Sequence, residues 1–164
     1  QIETVKVWAV NHGSHEETLN VTLRAIHLGT GETLKDWSAP NAQRLTPNAI
    51  VQALEVNLTG LSVPDTILFT GNTWQLLGEP KNSRFAPPED LVFSTSEEGY
   101  LTLRLTKPVV DLMLSDEGDP SPFYDNFITS PGGLVSIRLN SAPNTIEARS
   151  LSGEHRVRVM TGPL

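Results

Sequence analysis

Breaking a glycosidic bond takes two carboxyl groups, one to donate a proton and one to attack or to activate water. Adjacent acid pairs that could serve are Glu16-Glu17, Glu89-Asp90 and Glu97-Glu98. The first follows a Gly-Ser-His loop, the second closes a proline-bearing segment, and the third sits at a hairpin turn. All three read as solvated charge, and none is a strand-end Glu enclosed by aromatic residues. His12, His15, Glu16 and Glu17 form the densest polar cluster. They lack a third ligand at predictable geometry and the spacing of a zinc site, so the cluster reads as the turn between the first two strands.

Serine chemistry does not assemble either. No Ser lies in a G-x-S-x-G elbow, and His15 or His155 pairs with a hydroxyl only arbitrarily. His27 falls on an inward-phased strand and reads as a hydrogen-bonded, half-buried residue; His155 reads as part of a final Gly-Glu-His turn. Gly29 to Glu32, GTGE, has no helix behind it to converge amides on a phosphate. With no cysteine there is no disulfide, thiol nucleophile or thiolate metal site. No catalytic residue, metal or cofactor is expected.

Aromatic residues offer a different chemistry. Trp37, beside Ser-Ala-Pro, and Trp74, beside Asn72, Thr73 and Gln75, have polar surroundings in which a ring can stack on a pyranose or seal a sandwich edge or interface. The stretch FYDNFITSPGG, Phe123 to Gly133, places Asp125 and Asn126 among rings. Asp125 and Asn126 suit Asx-type bonds to backbone N–H groups, with Phe123, Tyr124 and Phe127 covering either side. This stretch reads as a structural corner. The preceding DEGDPSP reads as a flexible acidic turn.

Period-two alternation recurs along the 164 residues, and no long segment sustains a helical stripe. Strands are predicted over Glu3 to Val10, Thr18 to Leu28, Thr33 to Trp37, Ile50 to Leu58 and Thr66 to Gly71. GEPKNSRFAPPEDL then breaks the pattern, with Phe85 as an anchor. Beyond it, LVFSTSEEGYLTLRLT predicts a hairpin with Leu101, Leu103 and Leu105 inward. Val109 to Leu114, Leu134 to Leu139, Thr145 to Ser150 and Arg156 to Met160 follow. The fold class is all-β: two small immunoglobulin-like β-sandwich domains in tandem, spanning residues 1–87 and 88–164.

A net charge of -7 without any basic run argues against nucleic acid. No stretch approaches the roughly 20 apolar residues of a membrane span. Asn20-Val21-Thr22 and Asn57-Leu58-Thr59 match the N-glycosylation acceptor. Alternation puts Leu19, Val21, Leu23 and Ala25 on one face and Asn20 on the other; Asn57 likewise opposes Leu54, Val56 and Leu58. Both acceptors therefore face solvent, and the chain is expected to be secreted and to carry N-linked glycans. A Gln at position 1 suggests an internal or C-terminal piece of a longer protein.

VKVWAVNHGSHEETLNVTLRAIHLGTGETL, DTILFTGNTWQLLGEPKNSRF and LTLRLTKPVVDLMLSDEGDPSPFYDNFITSPGGLVSIRL resemble the C-terminal portion of the fungal β-mannosidases of glycoside hydrolase family 2, which also contains β-galactosidase and β-glucuronidase. Phe123-Tyr124-Asp125-Asn126 with Phe127 resembles an element of the last immunoglobulin-like domain of those enzymes. The resemblance covers essentially the whole chain. It implies a multi-domain exo-glycosidase that removes terminal β-D-mannose with retention, its two glutamates on a TIM barrel outside this chain. That barrel would be the partner, either continuous with this chain or held to it after a nick. Read from its residues alone, the chain also suits a carbohydrate-binding sandwich module using Trp37 or Trp74, or an adhesion or scaffold module.

Overall fold

The computed structural model describes residues 3–95 and 97–164. Gln1, which bears on the reading of the chain as a piece, and Ser96, within the expected hairpin, lie outside the described residues. The chain is all-β, built from sandwich-like layers, with two single-turn 3-10 helices at Val63–Asp65 and Pro80–Asn82. It divides into two compact units: residues through His27 with Glu32–Ser83, and Leu28–Gly31 with Arg84–Leu164.

The first unit holds β1 (Thr4–Val10), β2 (Glu17–Leu19), β3 (Thr22–His27), β4 (Thr33–Ser38), β5 (Gln43–Leu45), β6 (Ile50–Asn57), β7 (Thr66–Thr70) and β8 (Thr73–Leu76). One sheet runs β4-β3-β7-β8; β1 pairs with β6 and β2 with β5. Alternation buries one face of each layer, so Val7, Ala9, Val21, Leu23, Ala25, Val56, Leu58 and Leu68 form a single core. Gly71, with φ of 54°, begins the two-residue loop that folds β8 back on β7, a conformation that favours glycine.

The second unit holds β9 (Leu91–Ser94), β10 (Tyr100–Leu105), β11 (Val109–Ser115), β12 (Ile128–Ser130), β13 (Gly133–Arg138), β14 (Glu147–Ser150), β15 (Gly153–His155) and β16 (Val157–Met160). Its two four-stranded sheets run β13-β10-β9-β16 and β12-β11-β14-β15. Leu101, Leu103 and Leu105 point inward with Leu91, Phe93, Leu112, Leu114, Phe123 and Ile137. Only Arg156 separates β15 from β16. The chain pairs antiparallel with β14, crosses, and then pairs parallel with β9, so one strand closes both sheets.

Several expectations change. Strands β5, β8, β12 and β15 occupy stretches read as turns or left unassigned. The continuous strand expected over Thr18 to Leu28 breaks at Asn20 and Val21, and Leu19 is exposed rather than inward. Its short partner β5 covers only one side of β2. Val159 is 49% exposed on β16, the edge strand of its sheet. DEGDPSP starts with a tight turn: Asp116 and Asp119 exchange backbone bonds around Glu117 and Gly118, both at positive φ, the geometry of a type I′ turn.

Candidate functional site

Phe123 to Phe127 holds the second unit's two sheets to one another. The Phe123 side chain is buried in the core. The Tyr124 backbone N–H donates to the Arg138 carbonyl at 2.9 Å, and Asp125 Oδ2 accepts the Arg138 N–H at 2.7 Å, so both residues grip β13. Asn126 grips the opposite sheet: its Oδ1 accepts the Leu114 N–H at 2.8 Å and its Nδ2 donates to the Leu114 carbonyl at 3.0 Å. A primary amide presents one donor and one acceptor side by side, as a peptide does, so Asn126 acts as one more rung on β11. Oδ1 also accepts the Phe127 N–H at 3.0 Å. The Arg138 guanidinium lies 3.4 Å from the centre of the exposed Tyr124 ring, a cation–π contact. Phe127 sits at φ of 55°, with 65% of its surface exposed.

The histidine cluster is organised by an amide as well. Asn11, which is buried, donates through Nδ2 to the carbonyls of His15 at 2.8 Å, Leu45 at 3.0 Å and Thr46 at 3.3 Å, and accepts the Gly13 N–H through Oδ1 at 2.8 Å. Glu16 leaves the cluster to pair with Arg44 at 2.5 Å, and this exposed pair raises the guanidinium's already high pKa through its hydrogen bond and charge. No group of three metal-ligating side chains assembles among the described residues.

Glu89, read as solvated charge, and Asp116, in the acidic turn, both have backbone partners. Glu89 accepts the N–H groups of Thr106 and Lys107 and the Thr106 hydroxyl, tying the proline-bearing segment to the end of β10. Asp116 accepts the N–H groups of Asn144 and Thr145, each at 2.9 Å, and the Thr145 hydroxyl at 2.7 Å. Those bonds stabilise its ionised form and hold its pKa below the usual carboxylate range.

His155 lies in β15, not in a turn. Its Nε2 is 2.8 Å from Ser150 Oγ and its Nδ1 is 2.8 Å from the Glu89 carbonyl. A carbonyl only accepts, so Nδ1 carries the proton and Nε2 accepts from Ser150. No motif signals this pairing of a serine and a histidine. Ser150 is 9% exposed and Ser152 Oγ lies 2.8 Å from it. The arrangement fastens the β14–β15 hairpin to the segment before β9.

Trp37 is half-buried and packs against the first core. Trp74 is half-buried on β8 and borders a cleft of about 210 Å³ that Trp8, 53% exposed on β1, also borders. Asn20 is exposed in the break between β2 and β3. Asn57 is exposed at the end of β6, its Oδ1 accepting the Thr59 N–H at 2.7 Å in a turn that spans the acceptor triplet. No helix of the described residues is long and apolar enough to cross a membrane.

No family model and no curated protein matches the chain. Among solved structures, it is similar to the β-D-mannosidase of Dictyoglomus thermophilum, with a TM-score of 0.65 and 14% identity. That match covers 96% of this chain and 21% of the enzyme, so the chain spans about a fifth of the protein it matches. At this identity the likeness establishes the fold: the two β-sandwich units seen here recur together within a much longer enzyme.

Proposed function

We propose that the chain is the non-catalytic C-terminal structural portion of an exo-acting β-mannosidase of glycoside hydrolase family 2, with both catalytic glutamates outside it. That enzyme would release terminal non-reducing β-D-mannose by a retaining mechanism, and this portion would dock on its TIM barrel, in one chain or as a nicked pair. The observation that carries the reading is the asymmetry of the structural match: nearly all of this chain against about a fifth of a β-mannosidase. The local chemistry agrees with it. Asp116, Asp125 and Glu89 bind backbone N–H groups, and Glu16 and Glu154 pair with arginines. The sequence resemblance to fungal members, secretion, and glycans on Asn20 and Asn57 belong to the same proposal.

An antibody to this chain, applied to extract and culture fluid of its source, tests it. The reading expects β-mannosidase activity to be depleted with the antigen, the activity to reside in a larger polypeptide or nicked pair, and peptides containing Asn20 and Asn57 to carry glycan. Activity left wholly in the supernatant overturns the assignment. Hydrolysis of a β-mannoside by the purified 164-residue chain, free of contaminating enzyme, overturns its non-catalytic character.

A further inference from the structure

We propose that the fork where β15 leaves β14 is a binding cleft for a neutral pyranose sugar. The fork follows from the strand that serves both sheets. Ser150, Arg149 and Ala148 face Gly153, Glu154 and His155 in register, but Arg156 then turns to β9, where its carbonyl accepts the Leu91 N–H at 2.8 Å. Glu147, the first residue of β14, consequently keeps a partner only on its other side, Ser115 of β11. A cleft of about 550 Å³ opens at this point, within the roughly 300–1,000 Å³ range of small-molecule sites.

Its lining combines two chemistries. Half-buried Met113, Ile146 and Val157 supply apolar surface, while Glu147, Arg149 and Glu154 supply acceptors and donors at the rim. Arg149 and Glu154 neutralise one another at 2.5 Å. Among the described residues Glu147 receives only a long contact, 3.4 Å, from the Ser115 hydroxyl and so keeps acceptor capacity for a ligand. An anionic ligand would be repelled by Glu147, and a cation would find there a single exposed carboxylate, Glu154 being paired already with Arg149. A pyranose carries C–H faces for the apolar wall and hydroxyls for the carboxylates, without net charge. With no aromatic ring bordering the cleft, affinity is expected in the millimolar range. The site stands on this unit's own geometry; the choice of a mannoside probe rests on the proposed function.

The test is a ¹⁵N NMR titration of the 164-residue chain with β-1,4-mannotriose, cellotriose and glucuronate. Saturable shifts are expected at the amides of Glu147, Ala148, Glu154 and His155 with a neutral sugar, and none with glucuronate. Glu147→Ala should weaken binding about tenfold, the loss of one hydrogen bond to a charged acceptor, while its remaining spectrum reports an intact fold. Glu147→Gln provides a second, shape-conserving variant and should weaken binding less. Saturation by cellotriose and not mannotriose supports the cleft while counting against the mannosidase reading. Shifts confined to Trp37 or Trp74, no saturable shift with either neutral sugar, or unchanged affinity in Glu147→Ala overturns the cleft.

Discussion

Asn126→Ala removes the amide that completes β11. Three bonds disappear: two with Leu114 and one from the Phe127 N–H. Each contributes about 1 kcal/mol net, and a buried backbone group left unpaired costs about 1–3 kcal/mol. Leu114 has no exposed surface, yet the bonds themselves lie at a partly buried position that water reaches, so the total is set near the low end, about 3 kcal/mol. With a urea m-value of about 2 kcal/mol/M, the midpoint should fall by about 1.5 M. Far-UV circular dichroism is the appropriate probe, because Trp8, Trp37 and Trp74 all belong to the first unit and their fluorescence is a poor reporter for β11. Amide exchange at Leu114 should accelerate about a hundredfold by the same arithmetic. Asn126→Asp keeps the acceptor but aims a charge at the Leu114 carbonyl, and should be at least as damaging at neutral pH. A midpoint shift below about 0.4 M in Asn126→Ala, with Leu114 exchange unchanged, refutes the idea that this amide holds the sheets together.

Asp116 has a depressed pKa in the folded chain, so its stabilisation is complete above the usual aspartate value and is lost as pH falls through the lower folded value. Below about pH 4 the parent chain should therefore lose stability more steeply than Asp116→Asn, and parallel acid-unfolding curves would count against this role. Phe127→Gly relieves a positive φ at a ring that is 65% exposed, and should raise stability by about 1 kcal/mol. A lower melting temperature in calorimetry would mean that the exposed ring makes a contact worth more than the strain.

Long strands with clear alternation were legible: β1, β6, β10 and β11 lie close to their expected limits. Strands β5, β8, β12 and β15 have three or four residues each, too few for a period of two to stand out from turn composition. Leu19 shows the limit of phase arguments, since alternation assumes a strand covered along its whole length. The corner illustrates another limit. Residue types suggested Asx-type bonding, but the partners of Asp125 and Asn126 lie 13 and 12 residues away, on opposite sheets. His155 with Glu89, Asn11 with Leu45 and Glu89 with Thr106 were hidden for the same reason: their bonds join segments that the fold, not local spacing, brings together. The fork at β14 depends on where a strand changes sheets, and a linear pattern of apolar residues carries no trace of that.

A strand held in common by two layers also sets how this unit tolerates wear. Losing Met160 and Val159 takes rungs from the β9 side first, and losing residues back through His155 and Glu154 takes them from the β14 side, because the same backbone carries both. Damage to that strand is expected to act like slipping a buckle: little change while Met160 alone is freed, then loosening of both faces once Val157 is released.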